Sequence, residues 1–113
     1  MLIEFGSQKL AKCCNEQKQA EKIYGTKSAR KLMQRLAELH AANNLFEISK
    51  LPPPRCHELV GKQKNTFSVD LEHPYRLLFI PAHNPIPRLP DHGIDLKMVT
   101  EIIIVSIEDT HRS

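Results

Sequence analysis

No apolar run in the chain approaches the roughly 18 residues that a membrane-crossing helix needs, so no membrane contact is expected. The opening residues, Met1-Leu2-Ile3-Glu4-Phe5, lack the basic start and the apolar stretch of about 7–15 residues of a secretory signal. A cytoplasmic location is expected. Cysteine is scarce: Cys13, Cys14 and Cys56 are an odd number without a Cys-x-x-Cys pair. That excludes a disulfide framework and zinc-ribbon spacing, and leaves free thiols in a reducing compartment. Internal repeats, low-complexity segments and linkers are absent as well. His40, His73, His83 and His92 show no ligand spacing and read as solvent or turn histidines. No metal and no cofactor is expected.

What is present is an ordinary globular composition, 41% hydrophobic and 26% charged. The 113 residues fit one domain spanning 1–113, long enough to bury about two-thirds of the unfolded surface. Charge is unevenly spread. Residues 1–64 carry 12 Lys+Arg and 6 Asp+Glu, a net of +6, whereas residues 65–113 carry 4 and 7, a net of −3. A basic front half attracts polyanions such as RNA. The same lysines (Lys9, Lys12, Lys18, Lys22) equally suit a solvated helix face.

Leu2 to Phe5 reads as a short first strand. Ser7 is placed to cap a helix over 8–24, with a thin apolar stripe through Leu10, Cys13 or Cys14, Ala20, Ile23 and Tyr24. Gly25 ends it. A second helix runs from a Thr26 cap to about Ala42, with Ala29, Leu32, Met33, Leu36 and Leu39 inward and Arg30, Lys31, Gln34, Arg35 and Glu38 outward. Pro52-Pro53-Pro54 cannot lie inside a helix or a central strand. Strands then follow over 55–60, 66–71 and 75–80, joined by polar turns as an antiparallel meander. Residues 81–95 hold four prolines and no periodicity, as expected of a functional or mobile loop. A short helical turn falls over 95–99. The unalternating run Ile102-Ile103-Ile104-Val105 suggests a central strand covered on both faces. The expected class is α+β: an N-terminal strand and a helical hairpin on a mainly antiparallel sheet of about four to five strands.

Three patches carry a resemblance. They are His57-Glu58-Leu59-Val60-Gly61-Lys62; Phe67-Ser68-Val69-Asp70-Leu71 followed by Tyr75-Arg76-Leu77-Leu78-Phe79; and Ile103-Ile104-Val105-Ser106-Ile107-Glu108-Asp109-Thr110-His111. Together and in this order they resemble the RelE/ParE toxin superfamily, in particular its HigB-like branch of plasmid-maintenance killer proteins. The resemblance spans nearly the whole chain. It implies the toxin of a type II toxin–antitoxin pair, a ribosome-dependent endoribonuclease that cuts translated mRNA. It also implies a separate antitoxin, expected to carry a helix-turn-helix domain, with operator DNA bound only through the toxin–antitoxin complex.

Metal-free RNA cleavage uses the substrate's 2′-hydroxyl as nucleophile. It needs a base for that proton, an acid for the leaving oxygen and positive charge at the phosphate. By resemblance, His57, Asp109 and His111 match catalytic positions, and Arg76 matches a strand arginine able to fork onto the scissile phosphate. Arg55, Lys62 and Lys64 are the expected RNA-binding residues. The bland readings are a surface or capping His57, and Arg76 paired with Asp70 or Glu72. Thr110 stands where the family commonly has tyrosine, so the histidines suffice, Tyr75 substitutes, or the toxin is weakened. Two other functions stay open: a gyrase inhibitor of the ParE kind, and a decayed toxin that only binds its antitoxin.

Overall fold

Ser7 starts the first helix as its sequence position suggests: its hydroxyl accepts from the Leu10 amide at 3.1 Å. The computed structural model describes residues 1–61 and 63–110. In chain order they form β1 (Leu2–Phe5), α1 (Gln8–Asn15), α2 (Gln17–Tyr24), α3 (Thr26–Ala41), β2 (His57–Glu58), β3 (Phe67–Asp70), β4 (Tyr75–Pro81) and β5 (Glu101–Asp109). Two 3₁₀ turns, Leu45–Glu47 and Leu96–Met98, stand outside the sheet.

The helix expected over 8–24 is two helices. Glu16 leaves the helical region at φ −126°, ψ 103° and turns the chain between them. Gly25 joins α2 to α3 at φ 88°, ψ 166°, a backbone region essentially closed to residues with a Cβ. Gly25, not Thr26, is therefore the N-cap of α3. The expected core stripe of α3 is observed at Ala29, Leu32 and Leu39. Arg35 corrects the outward face: it is the largest fully buried side chain, 1% exposed. Its Nε donates to the Asp70 carbonyl at 2.8 Å and its Nη1 meets Glu38 Oε1 at 3.1 Å. The Met1 ammonium donates to the Leu39, His40 and Ala42 carbonyls at the C-terminal end of α3, where the helix dipole favours positive charge.

The five-stranded sheet has the order β1-β5-β4-β3-β2. β1 runs parallel to β5, and every other pairing is antiparallel. The fold is α+β with a mixed sheet. The helices share one core with Phe67, Val69, Leu77, Phe79, Ile102 and Ile104, which fixes the face they cover. The expectation that β5 is covered on both faces does not hold. Leu78 pairs with Ser106 but Phe79 pairs with Ile104, so Val105 is the extra residue of a β-bulge. The bulge inverts the alternation. Ile102 and Ile104 point to the helices before it, and Ile107 packs there after it, while Ile103 and Val105 stay half-exposed.

The strand expected over 55–60 shrinks to two residues, bounded by positive φ at Arg55 (47°) and Gly61 (83°). The 81–95 segment has its own structure. An Arg88–Ile94 bridge closes it, Arg88 reaches Asn65 Oδ1 at 2.9 Å, and Ile94 sinks into the core. Among the described residues no helix is long and apolar enough to cross a membrane.

All three cysteines are free and buried. Burial pushes the Cys14 thiol up to about 12 and the Cys56 thiol up to about 11 from an ordinary 9.0, and raises Cys13 as well. Since the thiolate is the reactive form, the native protein is expected to show no fast-reacting thiol with Ellman's reagent at pH 8, and full reactivity in urea. The linkage has a definite sign. Above about pH 9 the unfolded thiols lose protons that the folded ones keep, so stability falls as pH rises towards 11–12. Urea midpoints measured across that range should decline less steeply in Cys14→Ala.

Candidate functional site

Strand alternation puts His57 and Arg76 on the sheet face turned away from the helices. His57 lies opposite Ser68, Ser68 opposite Leu78 and Leu78 opposite Ser106, a single row across four strands. In the next row Asp70 lies opposite Arg76, and Arg76 opposite Glu108. Leu78 is 1% exposed yet stands outside the helix-packed core, as this placement requires. His57 and Arg76 therefore share a face, two strands and one row apart. Strand spacing puts their Cα atoms roughly 12 Å from each other, within the combined reach of the two side chains around a phosphodiester.

Arg76 is bracketed by two carboxylates but bonded to neither. Among the described residues it makes no ion pair, and its buried Nε has no hydrogen-bond partner. Ser68 Oγ, in the adjoining row, is buried and unpartnered too. Unmet polar atoms of this kind are uncommon in a folded protein and call for an explanation. Asp70 is committed elsewhere, accepting from Arg55 Nε at 2.7 Å and from Arg55 Nη2 at 3.0 Å. Those bonds push the Arg55 guanidinium further up from its already high pKa. A cavity of about 90 Å³ opens beside these groups, lined by Arg55, Asp70, His73, Tyr75, Arg76 and Thr110 among others.

The expected site residues divide. Arg76 and Arg55 border one cavity, while His57 lies on the same sheet face, touches the Arg55 carbonyl and borders a different cavity. Lys64 is exposed on the turn between β2 and β3. Asp109 lies opposite Tyr75, and the Tyr75 ring meets Tyr24 of α2 at 5.1 Å. Alternation thus sends Asp109 and Tyr75 to the helix side of the sheet, away from His57. Tyr75 still borders the small cavity, as does Thr110, whose amide donates to the Pro74 carbonyl at 2.8 Å. Lys62 and His111 lie outside the described residues. The sequence reading missed His73, which borders the Arg76 cavity. Its one distinguishing mark was its place in the turn just before Tyr75-Arg76.

His57 does not line the Arg76 cavity; it borders a second cavity of about 230 Å³ at the β2 edge, floored by Leu45, Ile48, Cys56, Phe67 and Ile94. Its Nδ1 is 3.1 Å from the Arg55 carbonyl. Among the described residues no three His, Cys, Asp or Glu side chains gather as a metal-ligand set. No family model matches the chain, and no curated protein matches it.

Proposed function

We propose that the chain is the toxin of a type II toxin–antitoxin pair and acts as a metal-independent endoribonuclease on translated mRNA. The observation that carries the reading is a shared sheet face: an imidazole and a guanidinium unpaired among the described residues, two strands and one ladder row apart, with the helices on the other side. In this mechanism Arg76 forks onto the non-bridging oxygens of the scissile phosphate and supplies the positive charge that the transition state needs. His57 takes the 2′-hydroxyl proton, work worth about 10²–10⁴-fold in rate. Attack of that oxygen on phosphorus expels the 5′-oxygen and leaves a 2′,3′-cyclic phosphate. The proton for the leaving oxygen comes from an imidazole at the cavity, and His73, which borders it, is the proposed donor. Arg55 and Lys64 bind flanking phosphates. The partners are the ribosome with its mRNA and a separate antitoxin; operator DNA is bound only through the antitoxin complex; the working compartment is the cytoplasm.

Two observations favour a second reading. Asp109 is turned away from His57, and Thr110 replaces a residue able to stack on a base, which suits a toxin that blocks DNA gyrase without cutting RNA. Induced expression without antitoxin, with mRNA 5′-end mapping on the same cells, separates the two. Growth arrest with new cuts inside translated codons is the expected result. Arrest with intact mRNA and blocked supercoiling would establish the second reading, and no arrest would leave an antitoxin-binding remnant.

A further inference from the structure

Resting on the reading of His57 as the proton-transfer group, we propose that Asp70 is a positioning residue that sets the tautomer of His57 through Arg55. Arg55 has φ 47°, a conformation that residues with a Cβ rarely adopt and that neighbours must hold in place. Three attachments surround it. Its amide donates to the Leu51 carbonyl at 3.1 Å, the Pro54 carbonyl before it accepts from the Asp70 amide at 2.8 Å, and its guanidinium is forked onto the Asp70 carboxylate. Asp70 thus grips the turn twice, by backbone and by side chain.

The product of this grip is the direction of the Arg55 carbonyl, which meets His57 Nδ1 at 3.1 Å. A carbonyl oxygen only accepts, so Nδ1 carries the proton. In the neutral ring the lone pair is then on Nε2, the nitrogen able to take a proton from a hydroxyl. Without the fork Arg55 relaxes towards negative φ, its carbonyl turns away, and the ring is free to move its proton to Nε2. That form has no base at the working nitrogen. The relation is that of a carboxylate orienting a catalytic imidazole, with a backbone carbonyl interposed.

The test is the ¹⁵N spectrum of the His57 ring at pH 8, where an ordinary histidine is neutral. The expected wild-type form is protonated at Nδ1. Asp70→Asn, nearly isosteric and keeping both backbone bonds of Asp70, should lower the ratio of Nδ1–H to Nε2–H about fivefold, the value of one net hydrogen bond. Arg55→Ala should do the same, and the double variant should add nothing. Arg55→Gly, which accepts positive φ without a clamp, should stand nearer to wild type than Arg55→Ala. A wild-type ring protonated at Nε2, or variant spectra identical to wild type, would overturn the proposal. So would a glycine variant no better than the alanine. The spectra do not depend on RNA cleavage: the expected tautomer in a protein that cuts no mRNA would strike the nuclease reading alone.

Discussion

If the proposed nuclease mechanism holds, Arg76→Ala should remove growth arrest and lower the rate of mRNA cutting in a purified translation reaction by at least about 100-fold, the scale of losing one charged donor at a transition state. The protein stays folded. Arg76 makes no ion pair among the described residues, and its buried Nε is already without a partner, so little native binding energy is lost with it. The remaining cost is mutual repulsion of Asp70 and Glu108 across the vacated position, at most about 1 kcal/mol for partly exposed groups. Arg76→Lys keeps the charge and loses the planar fork, and should recover only part of the rate. Melting curves recorded beside the cleavage assay keep the two effects apart. A folded Arg76→Ala protein that cuts mRNA at the wild-type rate would remove Arg76 from the mechanism.

Arg35→Met carries the largest expected loss of stability, about 3 kcal/mol, read as a fall of roughly 10–20 °C in melting temperature. The arginine is buried in α3 and its Nε donates to the Asp70 carbonyl at the end of β3. Methionine fills part of the volume but leaves that carbonyl without its donor, and leaves Glu38 without its cation. Glu38 is partly exposed and can turn to water, which keeps the figure at the low end for broken buried pairs. The control is Arg30→Met on the exposed side of the same helix, where the change should stay within about 0.5 kcal/mol. A drop for Arg35→Met no larger than for Arg30→Met would show that the buried guanidinium is not a fastening between helix and sheet. Because Asp70 also holds Arg55, growth arrest should weaken in Arg35→Met even at temperatures where it remains folded.

The two prediction sites differ in how far residue order could disclose them. The stripe Ala29, Leu32, Leu39 could be read because apolar spacing reports burial directly, and Gly25 because few backbone conformations end a helix so abruptly. Arg35 could not: at one position a buried arginine and a solvated one look alike, and its partner is a carbonyl supplied by a distant strand. The bulge at Val105 was hidden for a related reason. Two half-buried stretches of opposite phase, joined by one extra residue, look like a strand buried on both faces. At the site, His57 and Arg76 were legible as chemistry, and their shared face became definite only through the registers of β2, β3 and β4. The fork from Asp70 to Arg55 depends on the positive φ of Arg55, which no local pattern announces. His73 was marked in the sequence only by its place just before Tyr75-Arg76, and the cavity it borders formed only with the fold.

The place of β5 has a consequence in time. It is the last of the five strands to be synthesised, yet it lies between β1 and β4, and β1 pairs with nothing else in the sheet. Leu2 must wait for Glu101, so closing the sheet requires the two most distant strands of the chain to meet, a slow kind of event in folding. The nascent chain can build its helices and the β2–β4 meander early, but the row through Arg76 to Glu108 is complete only when β5 slides between its neighbours. Until that closure β1 stands without its sheet partner, and its edge is open to any strand that reaches it first.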